Sequence, residues 1–374
     1  MAERRKRIGL LFGGRSAEHD VSKLSAANVL RALDPERYEV VPIGIDRGGR
    51  WLLCDTGNGA GTGARSLEIP DGAPRVALVP GGGGELVVLD GAAPGAPGRL
   101  DAVFPVLHGP NGEDGTVQGL LELAGVAYVG SGVLGSAVGM DKDVAKRLMR
   151  EQGLPIVPFV ALARGGTADY EAVAAALGAS DMFVKPANMG SSVGVSRARS
   201  AAEFARACAE AFRYDEKVLA ERSVVGAREI ECSVLEHPTG ELAASPLGEI
   251  VPAASHGFYS YDAKYLDADG ALLRIPADLP GATAARTREL ALATFRALGC
   301  AGLARVDFFV TPVGGEVYVN EVNTLPGFTA ISMYPKLWES AGLSQEALME
   351  TLIAHAFARH ARRAALAGSR EAGV

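Results

Sequence analysis

The sequence predicts an α/β protein built from more than one domain. Its 374 residues are enough for two or three domains with sizeable cores. The chain begins with an apolar strand at 8–12, helical spacing of apolar residues from 21 to 30, and a second strand at 38–45. This strand–helix–strand order is typical of a doubly wound α/β domain. Two strands rich in Val, Phe and Tyr, at 304–309 and 318–324, instead predict an antiparallel hairpin.

Helix-capping residues, prolines and glycines predict where the remaining elements begin and end. Ser16 is placed as the N-cap of the first helix, and Pro35 ends that helix. A second helix opens at Asp141, and Ser200 with Glu203 forms a capping box for a third. Further strands are expected at 102–107, 182–185, 218–221 and 229–235, further helices at 283–298 and between 335 and 366, and loops at 57–63, 80–98 and 250–270.

Composition excludes several classes of protein. The net charge of −7 argues against broad nucleic-acid binding, which requires basic patches. No segment reaches the roughly 18 apolar residues of a membrane span. The four cysteines lie far apart, which predicts reduced thiols in a cytoplasmic protein. The six histidines form no metal-binding pair, so zinc chemistry is not expected.

The predicted hairpin carries the strongest chemical signal. A turn near residue 314 puts Asp307 opposite Glu321 and Arg305 opposite Asn323, all on one face of the hairpin. Two carboxylates at that distance repel each other unless a cation lies between them. Carboxylate and amide oxygens suit Mg²⁺, which usually binds together with phosphates. The hairpin therefore indicates a nucleotide-dependent enzyme, with a solvated face of ordinary ion pairs as the alternative.

A second signal follows the strand that ends at Lys185. The Gly- and Ser-rich loop 186–194 offers backbone N–H groups to an anion, and the lysine adds positive charge. Gly190–Gly194 also matches the G-x-S-x-G nucleophile elbow, but that motif needs a helix directly after Ser192. Extended chain is expected there, which favours a loop closing over phosphates. A plain glycine turn is the third interpretation.

Other polar residues have ordinary structural explanations when each is taken alone. Glu18 compensates the dipole at a helix N-terminus. His108 is a loop histidine, and Lys142, Glu221 and Glu229 fit a solvated surface. An aromatic and basic patch in the long loop contains Tyr259, Tyr261, Lys264 and Tyr265.

Taken together and in order, these segments resemble the D-alanine–D-alanine ligases of the ATP-grasp superfamily. The resemblance implies an N-terminal doubly wound α/β domain and two antiparallel-sheet domains that clasp ATP. We expect the domains at 1–140, 141–222 and 223–374, with a long loop at 249–270. The matching segments are 13–22, 108–119, 130–142, 185–194, 228–232, 258–265, 302–307 and 320–329.

The resemblance also implies the reaction and its cofactors. ATP phosphorylates the carboxylate of one D-alanine, and the amine of a second attacks the acyl phosphate, which supplies a peptidoglycan precursor. Two Mg²⁺ ions, or Mn²⁺, are expected on Asp307, Glu321 and Asn323. A cytoplasmic homodimer is implied. The implied nucleotide-binding residues are Lys142, Lys185, Met189, Gly190, Ser192, Val193, Glu221, Val224 through its backbone, Glu229 and Lys264.

For the amino acids, the resemblance implies that Glu18 meets the first ammonium group with His108 nearby. Arg305 and the Gly327 N–H would stabilise developing oxygen charge, and Ser332 would hold the second carboxylate. Ser191, Glu18 and Tyr265 correspond to the family's hydrogen-bonded trio, and Tyr265 implies a preference for D-alanine over D-lactate. One departure lies at residues 187–189, where a charged residue is expected but Ala-Asn-Met stands.

Three alternatives remain open at this point. The first is another ATP-grasp ligase that joins a different carboxylate to an amine; Glu18, His108, Tyr265 and Ser332 distinguish a ligase for small substrates from one for large ones. The second is a nucleotide-binding module without catalysis, which predicts loss of the metal ligands or Arg305. The third is a hydrolase that uses Ser192.

Overall fold

The computed structural model describes residues 4–55, 66–90, 97–166, 169–252, 271–313 and 315–366. Three large sheets organise this part of the chain, together with a small two-stranded one. This mixed α/β architecture confirms the predicted fold class. The domain limits at 140 and 222 stay predictions. Among the described helices, none has both the length and the apolarity needed to cross a membrane.

The first sheet is mostly parallel and has the order β3-β2-β1-β6-β7. Strand β1 runs parallel to β2 and β6, as the opening of the chain predicts, and β3 is an antiparallel edge. Its elements are β1 (Lys6–Gly13), α1 (His19–Ala32), β2 (Tyr38–Ile45), β3 (Trp51–Leu53), β6 (Ala102–Pro105), α2 (Thr116–Ala124), β7 (Ala127–Tyr128) and α3 (Val133–Met140).

Helices cover both faces of this sheet, because successive residues of a strand point to opposite sides. Leu10 and Phe12 of β1 belong to one buried cluster with α1. Leu11 belongs to another, which includes Leu121 of α2. The last helix of the chain also joins the first cluster, through Leu352 among others.

The structure corrects two local predictions. Ser16 is not the N-cap: α1 begins at His19 after Glu18, and the Ser16 hydroxyl instead accepts a hydrogen bond from the Glu18 N–H at 3.2 Å.

The segment 80–98 is not only loop, since β4 (Val76–Leu78) pairs with β5 (Leu86–Val88). Leu86 is buried in the core there, which is why this apolar stretch forms a strand. Residues 57–63 lie outside the described chain.

The second sheet is antiparallel, with the order β10-β9-β11-β8. Asp141 caps α4 by accepting hydrogen bonds from the N–H groups of Asp143 and Val144, and Ser200 caps α6 through the Glu203 N–H. Both helix starts are those that the sequence predicts. The elements are α4 (Lys142–Glu151), β8 (Phe159–Ala163), α5 (Tyr170–Leu177), β9 (Met182–Pro186), β10 (Ser196–Ala198), α6 (Ala201–Ala211) and β11 (Lys217–Arg222).

The third sheet is also antiparallel, with the order β14-β13-β12-β15-β16. Buried side chains of β12 and β15, such as Ile230 and Phe308, pack against the helix between β14 and β15. The elements are β12 (Arg228–Glu236), β13 (Leu242–Pro252), β14 (Ala271–Arg274), α7 (Gly281–Ala297), β15 (Leu303–Val310), β16 (Val317–Asn323), α8 (Met333–Ser340) and α9 (Gln345–Ala364).

Candidate active site

The hairpin of β15 and β16 has the predicted register. Arg305 pairs with Asn323 and Asp307 pairs with Glu321. The register shifts directly after Asp307, so that Phe308 pairs with Val319. This irregularity leaves the four polar residues on one face, because it falls beyond them in the ladder.

The Asp307 carboxylate is held by two neighbours. Arg305 donates from Nε to Oδ1 at 2.7 Å and from Nη2 to Oδ2 at 2.8 Å, and the Asn323 amide donates to Oδ2 at 2.9 Å. Arg305 also lies 3.0 Å from a carboxylate oxygen of Glu231, a residue that sequence reasoning missed. Burial disfavours the charged guanidinium, but the two carboxylates raise the pKa of Arg305 above its usual range. Arg305 is therefore a fixed positive charge.

The residue types on this face fit a hard metal ion. Asp307 and Glu321 supply carboxylate oxygens, and Asn323 supplies an amide oxygen, the donors that Mg²⁺ prefers. A cationic group lies beside each carboxylate. Arg305 bonds Asp307, and the Lys142 ammonium lies 3.5 Å from Glu321. Within the described residues, no three or more His, Cys, Asp or Glu side chains gather closely enough to hold a metal ion by themselves.

A cleft of about 550 Å³ lies between the second and third sheets. Apolar side chains such as Phe183 and Ile250 line it together with many charged ones, among them Lys142, Lys185 and the acidic pair Asp307 and Glu321. This combination suits a flat base with a charged phosphate tail. Most of the expected nucleotide-binding residues line it: Lys142, Lys185, Met189, Gly190, Ser192, Glu221, Val224 and Glu229, but not Val193.

The loop after β9 is tied down at its beginning. The backbone N–H and the side-chain amide of Asn188 both donate to Asp215 Oδ2, at 2.7 and 3.0 Å. The Lys142 ammonium donates to the Met189 carbonyl at 2.6 Å. The neutral Asn188 thus anchors the loop where a charged residue was expected.

The tip of this loop has an unusual backbone. Ser191 and Ser192 have φ angles of 52° and 59°, in the left-handed region that few non-glycine residues adopt. Successive residues in such conformations turn backbone N–H groups toward one concave side, where anions bind. Strand β10 follows, with no helix directly after Ser192. The nucleophile elbow is therefore excluded.

Two lysines share the buried carboxylate of Glu221. Lys185 lies 2.9 Å from one oxygen and Lys146 lies 2.6 Å from the other. Sequence reasoning missed Lys146, although it follows Lys142 by one helical turn and so shares its face of α4. Lys185 also donates to the Asn320 side chain at 3.3 Å.

The amino-acid end of the site begins at Glu18. Its Oε1 accepts a hydrogen bond of 2.5 Å from the Ser191 hydroxyl. A Cβ atom at Gly109 or at Gly190 would lie 3.4 Å from Glu18 Oε2. Because both residues are glycine, the space beside this carboxylate oxygen stays open. The carboxylate is thus placed where a small ammonium group can reach it.

His108 is buried beside this end of the site. Its Nδ1 lies 3.2 Å from the Leu325 carbonyl oxygen, which can only accept, so Nδ1 carries a proton. Burial lowers the pKa of His108 and favours the neutral ring. Among the described residues Nε2 has no hydrogen-bond partner, and with the proton on Nδ1 it carries a lone pair.

Glu113 is a third residue that sequence reasoning did not single out. Its two oxygens accept hydrogen bonds from the N–H groups of Gly109 at 2.8 Å and Leu325 at 3.3 Å. Removal from water and the nearby charge of Glu18 raise the pKa of Glu113 to about 8. Glu113 stands in the segment HGPNGEDG at 108–115, and this motif is the feature of the sequence that could have identified it.

Gly327 and Ser332 lie together in the turn before α8. A Cβ atom at Gly327 would stand 2.7 Å from the Ser332 Oγ, so the close approach requires glycine. The Thr329 N–H donates to Ser332 Oγ at 2.9 Å, and the two hydroxyls are 2.8 Å apart. Lys264 and Tyr265, like Tyr259 and Tyr261, fall outside the described residues.

Comparison with known proteins places this geometry in a family. The model for the D-Ala D-Ala ligase N-terminus matches residues 7–131, and the model for the C-terminus matches residues 148–354. D-alanine–D-alanine ligase B of Bradyrhizobium diazoefficiens is 66% identical over 365 residues, covering 97% of this chain and 96% of that protein.

Solved structures agree with this result. The D-alanine–D-alanine ligase from Coxiella burnetii superposes with a TM-score of 0.83 at 36% identity, covering 96% of each chain. The VanG D-Ala:D-Ser ligase from Enterococcus faecalis gives a TM-score of 0.78 at 33% identity, covering 94% of this chain and all of that one. This chain belongs to the D-alanine–D-alanine ligase family.

Proposed function

We propose that this protein joins two D-alanine molecules into D-alanyl-D-alanine with ATP, for peptidoglycan synthesis. The observation that carries the proposal is a continuous site. The basic end of the nucleotide cleft, at Lys142 and Lys185, opens beside the hairpin of Asp307 and Glu321. The Ser191–Glu18 hydrogen bond joins the phosphate loop to the amino-acid end.

The residues of the chain have distinct tasks in the proposed reaction. Lys185, Lys142 and the N–H groups of loop 189–192 hold the phosphates of ATP, whereas the Val193 N–H donates to the Gly190 carbonyl at 3.1 Å. Charge neutralisation around the phosphates assists transfer to the carboxylate of the first D-alanine. Mg²⁺ on Asp307, Glu321 and Asn323 supplies further positive charge when bound. The products of this step are a D-alanyl phosphate and ADP.

The second half of the reaction is proposed at the other end of the site. Glu18 and the His108 Nε2 lone pair receive the ammonium of the first D-alanine. Ser332 donates to the carboxylate of the second, whose unprotonated amine attacks the acyl phosphate carbonyl and displaces inorganic phosphate as the peptide bond forms. Arg305 and the Gly327 N–H stabilise the oxygen charge that develops. Close positioning of two small reactants is the main catalytic contribution.

Several finer features belong to the same proposal. They are a preference for D-alanine over D-lactate, domain limits near 140 and 222, a cytoplasmic homodimer, and use of Mn²⁺ in place of Mg²⁺. Tyr265 supports the substrate preference only through family resemblance. Comparable turnover with D-alanine and D-lactate as second substrate at neutral pH would disprove it.

The first experiment measures phosphate release from Mg·ATP with D-alanine, with L-alanine and with no amino acid. We expect release that depends on D-alanine, with the dipeptide as product. ATP hydrolysis indifferent to D-alanine would favour a ligase for another carboxylate. Absence of ATP turnover would favour the binding-module alternative.

A further inference from the structure

We propose that Lys146 is a positioning residue that, through the carboxylate of Glu221, leaves the charge of Lys185 available to the phosphates of the nucleotide. The inference rests on the proposed function only in that it takes the cleft to hold a nucleotide. Glu221 itself lines the cleft, as its implied contact with ATP requires, whereas the family resemblance gives Lys146 no role.

The first support is burial. Lys146 is 0% exposed and Glu221 is 4% exposed, so neither ion is compensated by water. Burial lowers the pKa of Lys146. Burial also opposes the ionised form of Glu221, but the two lysines lower the pKa of this carboxyl. A buried ion of this kind persists only beside its partner.

The second support is geometry. Each Glu221 oxygen faces one ammonium group, Lys146 at 2.6 Å and Lys185 at 2.9 Å. Glu221 comes from β11, Lys185 from the neighbouring strand β9, and Lys146 from α4. Lys185 lines the nucleotide cleft, whereas Lys146 does not. Lys146 therefore acts on the cleft only through Glu221.

The third support is the charge balance. Two ammonium groups and one carboxylate leave the cluster with one net positive charge, and Lys185 is the member that carries it to the cleft. Without Lys146, Glu221 would neutralise Lys185, and the cluster would attract phosphate much less. Lys146 thus supplies charge to a site that it does not touch.

The charge of the cluster predicts opposite outcomes for a single and a double variant. Lys146→Met brings the cluster to zero charge, and we expect ADP and ATP to bind about tenfold more weakly, or worse. Adding Glu221→Gln restores the single positive charge on Lys185, while the amide carbonyl of the new side chain still accepts a hydrogen bond from that lysine. The double variant should therefore recover most of the lost affinity.

The experiment measures ADP binding by titration calorimetry on the full chain, together with KM for ATP and kcat at saturating D-alanine. Arg147→Met is the matched control, because it removes a positive charge from the exposed side of the same helix, where Arg147 pairs with Asp143. We expect the control to bind ADP as the wild type does, and Lys146→Met to change KM much more than kcat.

Unchanged ADP affinity in Lys146→Met, or no recovery in the double variant, would overturn the inference. If Lys146→Met does not fold, the double variant decides alone, because it removes both buried ions together. It must then bind ADP within a few-fold of the wild type. ADP binding needs no amino acid, so the test remains valid even if D-alanine is not the substrate.

Discussion

Ser191 and Glu18 are joined by a hydrogen bond of 2.5 Å although 173 positions of the chain separate them. One residue lies in the phosphate loop of the second sheet, and the other immediately precedes the first helix of the parallel-sheet region. The bond therefore couples the loop proposed to cover the nucleotide to the carboxylate proposed to receive the first D-alanine.

Ser191→Ala tests this coupling. We expect kcat/KM for D-alanine to fall about tenfold or more, because the loop and Glu18 lose their shared position. Ser192→Ala makes the same chemical change at the adjacent left-handed residue, and its backbone N–H remains, so a smaller loss is expected. Steady-state dipeptide formation by both variants provides the comparison. Equal losses in the two would contradict a specific role for the Ser191 hydroxyl.

Glu321→Gln tests the metal assignment. The change replaces a charged ligand with a neutral side chain of nearly the same shape, so ATP use should fall about a hundredfold or more while the fold remains. Phosphate release is measured over a series of Mg²⁺ concentrations, with far-ultraviolet circular dichroism and thermal unfolding as controls for structure. A wild-type rate in this variant would refute the assignment.

Thr329→Val tests the proposed site of the second carboxylate. When Thr329 donates its N–H and its hydroxyl to Ser332 Oγ, the Ser332 proton is free to bond a carboxylate. Valine removes one of these donors, and KM for the second D-alanine should rise about fivefold. KM for the first D-alanine should change little, and Thr329→Ser should restore the wild-type value.

Ser332→Ala is the reference for that experiment, since it removes the proposed donor itself. It should raise the second KM at least as much as Thr329→Val. If Ser332→Ala has no effect, the carboxylate site lies elsewhere. If only Thr329→Val has no effect, the orienting role of Thr329 is wrong.

Glu113 predicts a pH dependence of stability. Its pKa of about 8 in the folded protein exceeds the value of roughly 4.3 expected for an unfolded chain. The folded state therefore binds more protons between these values, so this contribution to stability is complete below about pH 4 and is lost as the pH rises through 8.

Glu113→Gln removes this titration. Urea unfolding at several pH values from 5 to 8.5 should show the wild type losing stability relative to the variant as the pH increases. Because all other titrating groups are shared, the difference between the two curves isolates Glu113. Parallel curves would indicate that the carboxyl is ionised throughout.

Local sequence was enough for much of this protein. The strand–helix–strand opening, the helix start at Asp141, the cap at Ser200, and the pairing of Asp307 with Glu321 all follow from residues close together in the chain. Alternation along strands and capping preferences act over a few residues, so the pattern itself contains the information. The ordered motifs were also sufficient to indicate the family.

Only the tertiary structure decided which distant residues meet and which charges are buried. The Lys146–Glu221 pair, the bonds that join Glu113 and His108 to Leu325, and the packing of α9 on the first sheet link segments far apart in sequence. In the sequence, Lys146 looks like any lysine on the surface of a helix. It becomes a buried ion only because α4 packs against two sheets. Burial removes the water that would otherwise solvate its charge, so its interaction with a neighbouring ion is stronger. Burial is a property of the whole fold and not of a local segment.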